Sequence, residues 1–534
     1  MSTSSQSHRV GPIALMLTGL GSIIGSGWLF GAWRAAHIAG PDAIWAWVIG
    51  AAVITTIALT YAELGSMFPE SGGMVRYSHY SHGSLVGFIG AWANWIAIVS
   101  VIPVEAEASV QYMASWPWAW AQALYVGHEL TPPGLSIAAV LVIVYFMLNF
   151  WSLKLFAHSN SAITVFKLVV PALTGVALIA SGFHADNFSV GIDGGAHHTD
   201  LAAVLTAVAT AGIVFSFNGF QSPVNLAGEA RNPGRSIPFA IFGAIALATC
   251  VYLLLQIAYL GAVPSELLAK AGWKGLDFRS PFAELAILVN LNWLAMLLYA
   301  DAFVSPSGTG ITYTATTSRM LVGMQRNGTM PTMFGRLHPV YGVPRPAMWF
   351  NLAVSFVFLF CFRGWGTLAA VISVATIISY LTGPVSAITL RRTAADMYRP
   401  LRLPGLPLIA CLAFIFSTEL LFWAKWPLTG EIILLMLVAL PVYFYYQAKD
   451  GWRDFGRHFA GATWLVCYLP SIAALSYLGS TQFGGTGLIP FGWDLAAAAL
   501  IGVVFYFWGA QCGWRTPAVE AALEQARTAP RSSD

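Results

Sequence analysis

The amino-acid sequence predicts an all-α membrane protein. Of its 534 residues, 57% are hydrophobic and only 9% are charged, whereas a soluble domain has roughly 25% charged residues. Long charge-poor runs recur along the chain, and about fourteen of them approach the roughly 20 residues that a helix needs to cross a bilayer core. These runs are continuously apolar, whereas the strands of a membrane barrel alternate polar and apolar residues over about ten positions. Helices are therefore predicted.

The basic residues predict the orientation of these helices. We interpret the first apolar run as a retained helix and place the N-terminus in the cytoplasm. With fourteen spans threaded from there, most of the 26 Lys and Arg residues fall in cytoplasmic loops, as the positive-inside rule requires. The loops predicted to lie outside hold Lys270, Lys274, Arg279, Arg363 and Lys425. Both termini are thus predicted to be cytoplasmic. The net charge of +3 reflects this topology and does not indicate a nucleic-acid partner.

Two of the apolar runs contain helix-breaking sequences near their middle. Residues 21–27 read GSIIGSG in the first run, and glycine in a helix interior costs about 1 kcal/mol relative to alanine. Residues 215–223 read FSFNGFQSP in the sixth run, where Pro223 lacks an amide donor. Close packing of small residues would explain one such motif alone. Two breaks in corresponding positions indicate discontinuous first and sixth helices.

The positions of the breaks predict an inverted repeat with a binding site between its halves. The first and sixth helices are five spans apart and therefore cross the membrane in opposite directions. Interrupted helices in corresponding positions of two inverted halves are typical of transporters. Non-helical backbone at membrane depth persists only where protein or a water-filled cavity satisfies its polar groups. The predicted cavity is a substrate site.

The predicted site suits a zwitterion. Unpaired amides of Gly25, Ser26 and Gly27, at the positive end of a half-helix, would bind a carboxylate. Carbonyls near Phe217 in the second break would accept hydrogen bonds from an ammonium group. The residues predicted to bind substrate are Ser22, Gly25, Ser26, Gly27, Phe215, Phe217, Asn218, Gly219 and Gln221.

Several motifs make the sequence similar to the amino acid, polyamine and organocation (APC) superfamily. They are GSIIGSGWLF at 21–30, YAEL at 61–64, PESGG at 69–73, FNGFQ at 217–221, GEARNPGRSIP at 228–238, SRMLVGMQRNGTMP at 318–331 and VPRP at 343–346. Three further stretches look most similar to bacterial aspartate-proton symporters: RYSHYSHG at 76–83, LNFWSLKLFA at 148–157 and DAFVSPSGTG at 301–310.

The resemblance implies a LeuT-type fold of five helices repeated upside down, with four accessory helices. The implied divisions are a first repeat over 1–182, an inverted repeat over 201–391, accessory helices 11 to 14 over 399–513 and a cytoplasmic tail over 514–534, which we predict to be disordered. The implied location is the bacterial inner membrane.

Lys167 and Glu105 are the predicted proton-coupling residues. Lys167 lies within the fifth run, where a charge costs about 2.5–3.5 kcal/mol on insertion scales; the alternative is snorkelling to the membrane surface. Relatives that use protons instead of sodium carry a lysine at the matching place, and the resemblance implies that a charged Lys167 bridges carbonyls near Gly21 to helix 8. The family more often has an acidic residue where this chain has Gln221, which favours Glu105 as a second proton site.

Four further charged residues are candidate gates. Arg34, Glu107 and Asp301 fall in the predicted outer half, where Arg34 would pair with one of the carboxylates to close the site; a static ion pair or wet vestibule is the alternative. Glu229 follows helix 6 and would serve as an inner gate or pair with neighbouring arginines.

These observations predict a proton-coupled amino-acid symporter whose partners are a small amino acid, a proton and the bilayer. The side chain of the substrate stays open: aspartate or another acidic amino acid follows from resemblance, and neutral or cationic amino acids also fit. A nontransporting receptor would keep the same site. An enzyme is disfavoured because no nucleophile triad or phosphate-binding loop is present, and no cofactor or metal is predicted, since Cys and His residues lack ligand spacing. The sequence does not indicate an oligomeric state.

Overall fold

The computed structural model describes residues 10–68, 73–151, 153–227 and 230–528. Helices dominate, and the first half of the chain also contains one short antiparallel hairpin of β1 (Tyr125–Val126) and β2 (Glu129–Leu130). The helices of this half are α1 Pro12–Ile23, α2 Gly27–Ala39, α3 Ala43–Met67, α4 Met74–His82, α5 Ser84–Val99, α6 Val101–Met113, α7 Ala119–Gln122, α8 Pro132–Trp151, α9 Leu153–Ser181, α10 Leu201–Thr210, α11 Ile213–Ser216, α12 Ser222–Asn225 and α13 Pro233–Ala262.

The second half continues as helices joined by short connections. They are α14 Ser265–Ala271, α15 Pro281–Leu288, α16 Asn292–Arg326, α17 Arg345–Cys361, α18 Trp365–Tyr380, α19 Thr382–Thr393, α20 Leu406–Trp423, α21 Leu428–Leu437, α22 Leu440–Lys449, α23 Phe455–Leu478, α24 Trp493–Cys512 and α25 Pro517–Thr528. The prediction of a helical protein is confirmed.

Ten helical stretches in the described part of the chain are long and apolar enough to cross a membrane, so the protein is a multi-pass membrane protein. They are Gly27–Met67, Ser84–Met113, Pro132–Trp151, Ile163–Ser181, Pro233–Ala262, Trp365–Thr393, Leu406–Trp423, Leu428–Lys449, Phe455–Leu478 and Trp493–Cys512. Shorter apolar helices are Pro12–Ile23, Leu201–Thr210 and Arg345–Cys361.

The helical path is interrupted at two places that face each other inside the bundle. The first lies between α1 and α2, and the second between α11 and α12. The helix α13 packs against α1 and α3, and α16 packs against α6, α8 and α9. The two interruptions are therefore enclosed by helices on several sides.

The C-terminal segment corrects one prediction, because residues 517–528 form the helix α25 instead of a disordered tail. Ahead of the helix, the Thr516 hydroxyl donates to the Tyr80 carbonyl (2.7 Å). On the helix itself, Val519 and Leu523 are buried. A short helix of small and charged residues is marginal alone, so it is docking onto α4 that stabilises it.

A buried ion pair joins α3 to α19 and to the segment before α20. Arg391 donates from Nε to Glu63 Oε1 (2.8 Å) and from Nη2 to Glu63 Oε2 (2.6 Å). The amide of Leu403 also donates to Glu63 Oε2 (2.9 Å). One carboxylate thus satisfies three donors from two later parts of the chain.

We predict that Glu63→Gln destabilises the protein, because it leaves the Arg391 guanidinium without its anion. Breaking a buried ion pair from one side costs about 3 kcal/mol or more, so the melting temperature of the purified protein in detergent should fall. Glu266→Gln, which changes an exposed carboxylate in α14, is the matched control. An unchanged melting temperature for Glu63→Gln would contradict the structural role of the pair.

Candidate substrate and proton site

The carbonyl groups of the first break are satisfied by side chains from other helices. Four consecutive carbonyls, those of residues 21–24, lie within hydrogen-bond distance of a donor. The donors are Lys167 Nζ to Gly21 (2.9 Å), the Tyr313 hydroxyl to Ser22 (3.2 Å), the Tyr252 hydroxyl to Ile23 (3.3 Å) and Thr309 Oγ1 to Ile24 (3.4 Å). Broken backbone at membrane depth needs such partners, so these side chains make the interruption tolerable.

The amide side of the same break is held by a carboxylate. Ser26 N donates to Glu105 Oε2 (2.8 Å), and the Ser26 hydroxyl accepts a hydrogen bond from Trp365 Nε1 (2.8 Å). Glu105 is fully buried and lies at the N-terminus of α2, where the helix dipole favours a negative charge. The amides of this half-helix were predicted to bind a substrate carboxylate, and in the structure Glu105 occupies one of them.

Gly25 lies directly against Glu105. A Cβ atom at position 25 would lie 2.5 Å from Glu105 Oε1 and 3.0 Å from Thr309 Oγ1. Glycine is required here because any side chain would push the carboxylate away from the Ser26 amide.

Lys167 points into the bundle and not towards a membrane surface. Its side chain is 2% exposed, and Nζ donates to the Gly21 carbonyl (2.9 Å) and to Thr309 Oγ1 (2.6 Å). Its ammonium group also interacts electrostatically with Glu105 and Asp301. These contacts exclude snorkelling and place Lys167 as a link between α9, the end of α1 and α16.

The second break is closed by a network of neutral polar side chains. Gln221 Nε2 donates to Asn218 Oδ1 (2.6 Å), while Gln221 Oε1 accepts from the Gly219 amide (3.0 Å) and from the Tyr380 hydroxyl (3.2 Å). Asn218 Nδ2 reaches Thr376 Oγ1 at 3.4 Å. The amide groups of this break can therefore both donate and accept hydrogen bonds.

The two breaks touch each other. Ser222 Oγ donates to Ser22 Oγ (2.9 Å), and the Tyr313 hydroxyl lies between the carbonyls of Ser22 (3.2 Å) and Asn218 (3.3 Å). The residues of the predicted zwitterion site, although about 200 positions apart in the chain, therefore come together.

Aromatic rings cover the breaks on several sides. The Phe215 ring lies 5.8 Å from that of Trp365, and the Phe217 ring 5.4 Å from that of Tyr252. Phe217 has no exposed surface. Packing of this kind excludes water, which strengthens the hydrogen bonds at the breaks.

The predicted gate residues do not pair as expected. Arg34 lies against Gly366 at the start of α18 and, in the part of the chain that the structure describes, takes part in no ion pair. Both carboxylate oxygens of Glu107 are buried without a hydrogen bond from a described residue. Glu229 falls outside the described residues. A gating role for these residues stays a prediction.

From the sequence alone we did not identify the side chains from other helices that form hydrogen bonds with the breaks. They are Thr309, Tyr313, Tyr252, Tyr380 and Trp365. Thr309 lies in the family-like stretch at 301–310. The signal that the other four share is a hydroxyl or indole group inside an apolar run, and such a group in a membrane needs a hydrogen-bond partner.

A cavity of about 370 Å³ lies beside the breaks, between α1, α12 and the second half of α16. Ser22, Ser222 and Asn225 contribute to its wall from the breaks, and Thr312 and Arg319 from α16. The site is thus connected to a space large enough for water and small solutes.

Several known proteins that match this chain over most of their own length are named as transporters, symporters or permeases. The family model described as amino acid permease matches residues 11–440. The chain is 60% identical over 521 residues to the glutamate/serine transporter AimA of Bacillus subtilis (strain 168), covering 97% of this chain and 96% of that protein. The chain belongs to the amino acid permease family. The resemblance predicted from the motifs is therefore confirmed.

Two further relatives of this permease come from the same bacterium. The aspartate-proton symporter is 35% identical over 513 residues, which cover 95% of the permease and 96% of the symporter. The branched-chain amino acid permease BcaP is 24% identical over 453 residues, covering 83% and 94% of the two chains. As a member of this family the chain is an amino-acid transporter and not an enzyme.

We predict that Gly219→Ala abolishes most transport. Gly219 has a φ of +124°, and a Cβ atom there would lie 2.6 Å from the carbonyl carbon of Ser22, so the two breaks would have to separate. A misplacement of about 1 Å can cost about 100-fold in rate, which uptake of labelled amino acids by cells that express the variant would measure. Gly182→Ala, where a Cβ meets nothing within 4 Å, is the matched control. Wild-type uptake by Gly219→Ala would contradict the contact between the breaks as the working site.

Proposed function

We propose that this permease is a proton-coupled symporter that takes up an acidic amino acid. The observation that carries the proposal is that two buried ionisable groups hold the two sides of one helix break. Glu105 binds the Ser26 amide (2.8 Å), and Lys167 binds the Gly21 carbonyl (2.9 Å). A change in the charge of either group acts directly on the predicted substrate site.

Glu105 acts in this proposal as a stand-in for the carboxylate of the substrate. When Glu105 accepts a proton, it loses the negative charge that makes its hydrogen bond with Ser26 strong. The amide at the N-terminus of α2 then becomes available to the α-carboxylate of an amino acid. One carboxylate replaces another, so the proton and the substrate bind together.

Lys167 links this exchange to the rest of the bundle. With its ammonium charged, it joins the Gly21 carbonyl to Thr309 of α16. Loss of its proton weakens both hydrogen bonds and frees the end of α1 to move relative to α16. Release of the proton and opening of the site are thereby coupled.

The substrate proposal rests on the relatives and on the neutral side chains at the breaks. The relatives are named for glutamate and serine and for aspartate. Asn218 and Gln221 offer amides that donate to a carboxylate or accept from a hydroxyl. A neutral hydroxy amino acid such as serine is therefore the second candidate, and it fits the same amides without an additional cation.

The proposed architecture is the LeuT-type fold with fourteen spans and both termini in the cytoplasm of a bacterial cell. The 41-residue stretch Gly27–Met67 contains the end of the first span and the whole second one. The helices Pro12–Ile23, Leu201–Thr210 and Arg345–Cys361, together with Asn292–Arg326, supply the remaining spans. In this architecture the two repeats cover residues 1–182 and 201–391, and the accessory helices cover 399–513. The cavity beside the breaks then forms the inner vestibule.

We predict that Lys167→Ala eliminates accumulation driven by a pH gradient, because the group that couples proton release to opening of the site is gone. Proteoliposomes with an imposed inward proton gradient and labelled glutamate, aspartate and serine measure the accumulation. Exchange of internal for external substrate at equal pH needs no net proton transfer and should persist. Lys449→Ala, which changes an exposed lysine of α22, is the matched control.

Three outcomes would contradict the proposal. Unchanged accumulation in Lys167→Ala would exclude Lys167 from the coupling and leave Glu105 as the sole proton site. Uptake that follows sodium and ignores pH would exclude proton symport. Binding without accumulation by the wild-type protein would indicate a receptor.

A further inference from the structure

The side chain of Asp301, in the first half of α16, is a buried carboxylate that the proposed cycle does not yet use. It has no exposed surface. Its Oδ1 accepts a hydrogen bond from Ser305 Oγ (2.7 Å), and its Oδ2 has no partner among the described residues. A half-satisfied carboxylate inside a membrane protein is costly unless it serves a purpose.

Asp301 begins a polar line along one face of α16. Asp301, Ser305 and Thr309 are spaced four residues apart and so lie on the same face of the helix, about 6 Å from one another along its axis. All three are buried. The line ends at Lys167, because Thr309 Oγ1 accepts the hydrogen bond from the Lys167 ammonium group (2.6 Å).

A proline in the middle of this line connects it to α6. Pro306 has no amide, so the helical partner of the Ala302 carbonyl is missing. Ser109 Oγ supplies the hydrogen bond instead (2.7 Å), and Ser109 lies one turn after Glu105. The polar faces of α16 and α6 therefore meet between Asp301 and the first break.

The ionisable groups around Asp301 define the direction of any proton movement. Lys167 of α9 interacts with it electrostatically, and so does Tyr112 of α6. Glu105 and Glu107 lie on the same packed helix α6. Glu284 of α15 is engaged by the amides of residues 279 and 280 (2.9 and 2.8 Å). Lys167 is thus the proton acceptor that the line reaches.

We propose that Asp301 and Ser305 form the outer proton relay of the transporter. A proton from water on the outer side binds the Asp301 carboxylate. The Ser305 hydroxyl accepts this proton and gives its own to one water molecule, which passes a proton across the turn to the Thr309 hydroxyl. Thr309 in turn gives its own hydroxyl proton to the neutral amine of Lys167. The neutral Lys167 amine then becomes an ammonium group, and Asp301 is again a carboxylate. This inference rests on the proposed proton symport and adds the route by which Lys167 regains its proton after each release.

The test compares two transport modes of the same variants in proteoliposomes. Asp301→Asn should slow accumulation driven by a pH gradient by about 10- to 100-fold, the scale of losing one positioned proton-transfer group. An internal pH dye should report the same loss of proton influx. Exchange at equal pH should stay within about twofold, because the substrate site at the breaks is intact. Asp301→Glu should restore part of the driven uptake, since it keeps a carboxyl group.

Ser305→Ala should give an intermediate loss of driven uptake. Ser417→Ala is the matched control and should behave as wild type, since it removes a buried helix serine that donates to a backbone carbonyl (2.8 Å) and to no carboxylate of a described residue. Equal losses of driven uptake and exchange in Asp301→Asn would overturn the relay in favour of a structural or gating role. Unchanged driven uptake would also overturn it. If the wild-type protein shows no gradient-driven uptake, the proposed symport itself is overturned. This outcome is distinguished from failure of the relay because it is seen in the wild type alone.

Discussion

The rest of the site depends on the hydrogen bond between the Ser26 amide and the Glu105 carboxylate. The first break exposes the N-terminus of α2, and a helix N-terminus inside a membrane needs an anion or another acceptor. Glu105 supplies it at 2.8 Å. A carboxylate accepts such a hydrogen bond more strongly than a protonated acid does, and the proposed exchange of Glu105 for the substrate carboxylate rests on that difference.

Around this bond, side chains from other helices compensate for the first break and for the proline in α16. The carbonyls of residues 21–24 receive donors from α9, α13 and α16, and the carbonyl freed by Pro306 receives one from Ser109. Each compensating side chain belongs to a different helix from the backbone that it satisfies. Movement of one helix therefore alters hydrogen bonds in another, and the proposed cycle uses this dependence to couple proton binding to a change of shape.

The sequence predicted the features that local chemistry determines. Glycines and a proline inside apolar runs marked both breaks, and Lys167 stood out because an ammonium group inside a membrane is costly. The sequence did not predict that Glu105 binds Ser26, since the partners are 79 positions apart and depend on how helices pack. The pairing expected for Arg34 failed for the same reason, because the guanidinium packs on Gly366. The helix α25 escaped prediction because its order comes from docking.

The most direct measurement is the affinity of the purified protein for labelled glutamate between about pH 5 and pH 8, for wild type and for Glu105→Gln. If Glu105 competes with the substrate carboxylate for the Ser26 amide, wild-type affinity rises as the pH falls. In Glu105→Gln the uncharged amide is a weaker acceptor, so affinity is high and independent of pH. The same pH dependence in both proteins would contradict the exchange of one carboxylate for another at the first break.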